Sequence, residues 1–378
     1  MQISDVSLPD LPLGVEGFYS NEATPRPYPV IAVAFSTCIY LYKNMKLFYK
    51  YYLPSADFSP SETEIWKQLI DPQNHNMEVV SLLAENLNSL PHKVLSAQSH
   101  EFLTLNSEHQ LEYIEQLTEI PTRKLTEIAC ITTLKMHSIE RYSMSCLVVG
   151  TEDGQVIILD SQTFAQLSSA KLCTVKRTPF LIVPTGLYNV DYRLTVATRE
   201  KCVCLLKRDW SEGRLLFTTD EHIISMELVS ADNSVMIICS DNTLTCYSKK
   251  GKKQWSVCLE HRPVATTIAR VRPLSLTLTA VALASGHVHL FDGQARRDTI
   301  FVRDVVSVMK FGQLGQEEHV FIIITAGGNL MLKILKRTAE FGGQVAAVEP
   351  SVGAQLSKPW HLPKKSKLFL EQKKLHTA

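Results

Sequence analysis

Apolar residues in this chain gather in short runs that come in pairs, each pair broken by a tight polar turn. The pairs are VIAVAFSTCIYLYKN (30–44), CLVVGTEDGQVIILD (146–160), RLTVATREKCVCLLKRD (193–209), VMIICSDNTLTCYSKKGK (235–252), AVALASGHVHLFDG (280–293) and VFIIITAGGNLMLKILK (320–336). Asp153-Gly154, Asp241-Asn242, Ser285-Gly286 and Gly327-Gly328 stand at four of the breaks, and these residue types tolerate the positive φ that hairpin turns require. The pattern predicts six β-hairpins. The last apolar-strand residues before five of the turns, Gly150, Ala197, Cys239, Ala284 and Ala326, are spaced by 47, 42, 45 and 42 residues. Such a period suits a four-stranded blade of a β-propeller. The two outer strands can be read beside each hairpin, at 265–271 and 297–302 around Ala284 and at 223–228 and 253–258 around Cys239. The runs VIIL, VMIIC and FIIIT do not alternate, so their strands are covered on both faces. Blades leaning on one another supply that cover. A parallel sheet would need a helix between strands, and the connections after residue 130 are too short.

From Phe35 to Gly150 the interval is 115 residues, roughly 70 more than one period. The excess, at 57–124, has helical character. Ser59-Pro60-Ser61-Glu62 offers a capping serine, proline at the first helical position and glutamate at the third. Ser107-Glu108-His109-Gln110 repeats that reciprocal cap. Met77, Val80, Leu83 and Leu87 mark one helical face, and Leu111, Ile114 and Leu117 another. With 11 acidic against 4 basic residues the insertion is an acidic surface, either a solvated face or a dock for a partner. The tail 357–378 is its opposite, with six lysines and Glu371. It reads as a basic linker, or as an attraction for anionic headgroups or an acidic protein.

The whole chain carries 39 basic and 38 acidic side chains among 378 residues, which leaves no global footprint for nucleic acid. Tyr40, Tyr42, Phe48, Tyr49, Tyr51 and Tyr52 interleave with Lys43, Lys46 and Lys50, but aromatics are also ordinary strand formers. No run approaches bilayer-spanning length, and no signal peptide or glycosylation sequon is present, which points to a cytoplasmic protein. The nine cysteines lie mostly in apolar runs without any C-x-x-C pair, the usage of free buried thiols. Cys202 and Cys204 share a strand face and read as a packed pair. His287 and His289 also share one, with no further ligands nearby, so no metal site is expected. No phosphate loop, zinc helix or nucleophile elbow occurs. No enzyme activity and no cofactor are expected, although an axial channel can host an enzyme or a ligand on this kind of fold.

The stretches IYLYKNMKLFYKYYLP (39–54), ITTLKMHSIERYSMSCLVVGTED (131–153), YSKKGKKQW (247–255) and LKILKRTAEF (332–341) resemble the Bardet–Biedl syndrome 1 family of BBSome subunits, in order and over nearly the whole chain. The resemblance implies a seven-bladed β-propeller with a helical insertion, here six blades and a fragment. The family continues at both ends, with a complete first blade before Met1 and further helical and β-sandwich regions after Ala378. The expected organisation is a first-blade remnant near 2–12 and the first complete blade in 1–56, the insertion at 57–124, five further blades in 125–345, and a basic linker at 346–378. The implied role is a non-enzymatic adaptor in a coat that moves membrane-protein cargo into and out of cilia. Its implied partners are other BBSome subunits and a GTP-bound Arf-like small GTPase, with only indirect membrane association and location in cytoplasm, cilium and basal body. In the family the GTPase meets the first and last blades. Candidate contacts on the last blade are Gly327, Gly328, Lys333, Lys336 and Arg337.

Overall fold

A computed structural model describes residues 6–21, 28–53, 56–57, 60–71, 76–90, 97–116, 123–124, 126–140, 142–175, 177–229, 233–336 and 369–371. The chain divides into two compact units, Met1–Ser169 and Ala170–Ala378.

In the first unit, β1 (Gly14–Phe18), β2 (Val30–Ala34), β3 (Cys38–Lys43) and β4 (Lys46–Tyr52) form one antiparallel meander. The two-residue strands β5 (Ala56–Asp57) and β6 (Arg123–Lys124) pair with each other. Between them run α1 (Pro60–Ile70), α2 (Met77–Asn88), α3 (Ala97–Thr104) and α4 (Ser107–Gln116). A second meander follows, from β7 (Ile128–Lys135), β8 (Ser145–Thr151), β9 (Gln155–Leu159) and β10 (Gln166–Lys171).

The second unit repeats the meander four times. The first repeat is β11 (Pro179–Leu187), β12 (Asp191–Thr198), β13 (Cys202–Lys207) and β14 (Arg214–Thr218), and the next is β15 (Ile223–Val229), β16 (Ser234–Cys239), β17 (Thr243–Tyr247) and β18 (Lys253–Cys258). The third comprises β19 (Pro263–Val271), β20 (Leu276–Leu283), β21 (His287–Asp292) and β22 (Ala295–Phe301). The last comprises β23 (Val306–Leu314), β24 (Glu317–Thr325), β25 (Leu330–Leu335) and β26 (Phe369–Glu371). Six four-stranded meanders are the blades of a β-propeller, all-β apart from the helical insertion.

The turn between the two middle strands follows one rule in five blades. The third residue after the first of these strands takes positive φ: Gly154 (79°), Lys201 (57°), Asn242 (63°), Gly286 (80°) and Gly328 (77°). In four of them that residue's N–H donates to the carbonyl three positions back, as from Gly154 to Thr151 at 2.9 Å and from Gly328 to Thr325 at 2.9 Å. At Gly286 a Cβ would also lie 2.7 Å from the Val302 carbonyl oxygen, so both backbone angle and space select glycine there. The β2–β3 hairpin is built differently: Phe35 N–H donates to Cys38 O at 2.8 Å.

Continuous apolar runs are used on both faces. In β16, Val235, Ile237 and Cys239 pack with Ala197 and Val203 of the preceding blade, while Met236 and Ile238 pack with Val281 and Leu283 of the next. In β20 the same division holds, because Ala280 and Ala282 turn toward Phe321 and Ile323 of the last blade. In the first unit Ala32, Ala34, Ile39 and Leu41 close on Leu147, Val149, Ile157 and Leu159. Each fully buried Leu or Ile contributes about 1.5–3 kcal/mol, so one strand binds two neighbours with a single short run.

The helical insertion has a core of its own: Trp66, Leu69, Val80, Leu83, Leu87, Phe102 and Ile114. Asn76 caps α2, its side-chain oxygen accepting the Glu78 N–H at 3.4 Å. Met77, expected on the buried face, is exposed, and Ala84 takes a place on that face. The Gln110 side-chain amide donates to the Phe102 carbonyl in α3 at 3.1 Å. Ser59 and Leu117 lie outside the described residues.

Two boundary expectations change. A remnant strand near 2–12 is not found among the described residues: Val6–Pro12 is irregular, with Pro9 and Pro12 lacking ladder donors. Part of the expected linker is not linker, because Phe369–Glu371 pairs with β25 as the outer strand of the last blade. Those three residues stand well after β25 in sequence, so no period announces them.

Candidate functional site

Of the five candidate contacts, Gly327, Gly328 and Lys333 lie on the last blade and Lys336 just beyond its strand β25. Gly327 and Gly328 are exposed at the β24–β25 turn. Asp304, in the loop before β23, anchors this turn: its Oδ2 accepts the Gly327 N–H at 2.8 Å and its Oδ1 accepts the Val305 N–H at 2.7 Å. The Thr325 hydroxyl, with these two N–H donors, holds the Asp304 carboxyl below the usual range. A Cβ on Gly327 would meet Asp304 Oδ2 at 2.7 Å.

Lys333 sits in mid-strand, opposite Phe321 in the ladder, and is buried at 7 % exposure. It is therefore a packing residue, not an open contact: alternation along β25 turns Met331 and Lys333 inward together. Lys336 is half-buried just beyond the strand, and Arg337 lies outside the described residues. The turn glycines and Lys336 occupy opposite ends of a six-residue strand, about 20 Å apart at the usual rise. The structure does not gather the candidates into one patch.

A second feature was not legible as a site in the sequence. The first strands of three successive blades, β15, β19 and β23, border a groove of about 430 Å³. Glu227, Arg270 and Lys310 line it, one from each strand, joined by Arg272, Glu318 and His319. The arginines, Lys310 and Glu318 are exposed, and Glu227 and His319 are half-buried. Burial pushes the Glu227 carboxyl up, and Lys310 and Arg270 pull it back only in part. Glu227, Arg270 and Lys310 follow one another at intervals of 43 and 40 residues. That interval, with a charge at a polar position of each first strand, is the signal that could have found them.

The thiols and imidazoles are arranged for packing. Cys204 is partnered not by Cys202 but by Cys173, with their Sγ atoms 3.6 Å apart. Cys202 donates to the Glu200 carbonyl at 3.1 Å. Burial pushes the Cys204 thiol up to about 12, reinforced by Cys173 and opposed by Arg177. Burial takes His289 down to about 4, Arg296 acting in the same direction. His287 Nδ1 lies 2.9 Å from the Ser285 hydroxyl. Among the described residues no group of three His, Cys, Asp or Glu side chains could hold a metal ion, and no helix is long and apolar enough to cross a membrane.

The mouse "BBSome complex member BBS1" is 30% identical over 370 residues, 98% of this chain and 61% of the relative. The human protein of the same name is 28% identical over 372 residues, with the same coverage. The chain thus spans about three fifths of the length of these relatives. Among solved structures, BBS1N in complex with ARL6DN, soaked with mercury, superposes with a TM-score of 0.67 at 24% identity, covering 90% of this chain and 84% of that one. At that identity the likeness establishes the propeller fold. The family "BBS1: Ciliary BBSome complex subunit 1" matches residues 1–207. With more than half of its length so matched, the chain belongs to the family of ciliary BBSome complex subunit 1.

Proposed function

We propose that this chain is the propeller region of a non-enzymatic adaptor subunit in a BBSome-like coat that sorts membrane proteins at the cilium. Its partners are other subunits of the coat and a GTP-bound Arf-like small GTPase that recruits the coat to membranes. It acts in the cytoplasm, at the basal body and along the cilium, peripheral to the membrane. The observation that carries the reading is the likeness to BBS1N, which was solved in complex with ARL6DN, in a chain of the same family.

The mechanism asks no chemistry of the propeller. A GTPase orders its switch loops only while the γ-phosphate holds them. A rigid surface fitted to the ordered loops binds the GTP state more tightly, and only that difference in affinity drives recruitment. A tenfold preference corresponds to about 1.4 kcal/mol, within reach of a few well-placed contacts. Blades packed on both faces provide the rigidity. Gly327, Gly328 and Lys336 are the contacts proposed on the last blade, with Arg337 beyond the described residues; Lys333 supports them from inside.

The test is co-precipitation of the full-length protein with an Arf-like GTPase loaded with GDP or with a non-hydrolysable GTP analogue. Retention is expected only with the analogue, and is expected to weaken in Lys336→Glu. Equal retention of both nucleotide forms overturns the reading.

A further inference from the structure

We infer that the groove bordered by β15, β19 and β23 is a docking site for an acidic peptide segment. This does not rest on the GTPase reading, because it uses different residues and needs no nucleotide state.

Three cations, Arg270, Arg272 and Lys310, converge on the groove from two neighbouring blades. Among the described residues none of them makes a direct ion pair, whereas Arg296 and Arg297 nearby in sequence hold Glu260 at 2.9 Å and Asp292 at 2.7 Å. Their charge is therefore available. Two carboxylates, Glu227 and Glu318, share the groove, and the cations do not fully offset the burial of Glu227. Arginine and lysine without an ion-pair partner, beside a half-buried carboxylate, suit a ligand that brings anionic groups to the cations and an N–H donor to the carboxylate.

The mixture selects the class of ligand. A continuous phosphate backbone would be repelled by Glu227 and Glu318, and the two rings of the groove, Phe311 and His319, are tilted against each other with centroids 6.1 Å apart, where single strands use successive stacking platforms. A flat anionic membrane does not enter a concave site. A peptide carries carboxylates at intervals and main-chain N–H groups between them. Its carboxylates meet Arg270, Arg272 and Lys310, while an N–H can donate to Glu227. Gly312 in the lining leaves open space where a Cβ would stand, so a second backbone can approach β23 closely.

The experiment is fluorescence anisotropy of a labelled peptide of alternating glutamate and serine, titrated with the full chain at low and moderate salt. Arg270→Ala combined with Lys310→Ala is expected to weaken binding about ten-fold; both positions are exposed, and circular dichroism checks the fold. Glu227→Gln is expected to tighten binding about three-fold, because the amide oxygen still accepts the peptide N–H while the competing charge is gone. Lys249→Ala with Lys250→Ala, on the exposed and equally basic β17–β18 turn, is expected to leave binding unchanged. Absence of binding, an equal loss in the turn variant, or no tightening in Glu227→Gln overturns the proposal. Stronger Arg270- and Lys310-dependent capture of a single-stranded oligonucleotide or of phosphatidylserine vesicles also overturns it.

Discussion

The carboxylate of Asp304 accepts the backbone N–H of Gly327 at 2.8 Å, across 23 positions of chain. It ties the loop entering the last blade to that blade's middle turn, and so places Gly327 and Gly328.

Because the Thr325 hydroxyl and the Gly327 and Val305 N–H groups favour the charged form, the Asp304 carboxyl is lowered from its ordinary 3.8. A depressed carboxyl stabilises the fold above its unfolded value and loses that contribution as pH falls through the folded one. Asp304→Asn is therefore expected to lower the thermal midpoint at pH 7. The gap between variant and parent is expected to narrow progressively below about pH 4. Melting curves at pH 7, 4 and 3 read this directly, and a gap that stays constant across them rules out the proposed anchoring.

How much of this could be seen in the sequence depends on how far apart the cooperating residues lie. Hairpins were legible because their signals are local: Ile237 and Ile238 beside Asp241-Asn242 state strand and turn within a few residues. Blade number was legible because the turn recurs with a nearly constant period. The role of Asp304 was not, since nothing in a lone aspartate announces a partner in a turn two strands later. Gln110 announced only a local role. A reciprocal cap uses its side-chain oxygen as acceptor, whereas its NH2 donates to the Phe102 carbonyl of α3, a partner eight positions back that no local pattern signals. Alternation within 329–335 places some of these side chains in the core, but the sequence does not say which, and in the fold Lys333 turns inward beside Met331. The groove residues are 40 and 43 positions apart, and only stacking of the blades' first strands makes them neighbours.

The helical insertion depends on a short polar chain inside its core. Trp66 Nε1 donates to Ser99 Oγ at 2.9 Å, and that hydroxyl donates to Glu62 Oε1 at 2.5 Å. All three residues are fully buried. Ser99→Ala removes both bonds at once and weakens the support of a buried carboxylate, which costs about 1–3 kcal/mol. The expected result is a lower midpoint in chemical denaturation, with a red-shifted Trp66 emission read after the other three tryptophans are replaced by phenylalanine. A Ser99→Thr variant that keeps the hydroxyl is expected to recover part of the loss. Full stability in Ser99→Ala would mean that the insertion is held by its apolar contacts alone.

The cysteines offer a graded probe of the blades, since the thiolate is the reactive form. Cys258 is exposed, whereas Cys146, Cys204 and Cys239 are buried. Burial pushes Cys146 and Cys204 up to about 12 and Cys239 up to about 11. At pH 8 less than about one thiol in a thousand is then ionised at Cys146 or Cys204, against a quarter or so for an ordinary exposed cysteine. Iodoacetamide is expected to modify Cys258 within minutes and to leave the other three intact until the fold opens. Peptide mass spectrometry over a time course checks the order. Because Cys146 lies in the first unit and Cys204 and Cys239 in the second, adding denaturant in steps resolves whether the units open together. Simultaneous exposure of the three marks one cooperative transition, and earlier labelling of Cys146 marks the first unit as the weaker. Labelling of Cys204 as fast as Cys258 in the absence of denaturant would show that the blade carrying β13 is not packed as described.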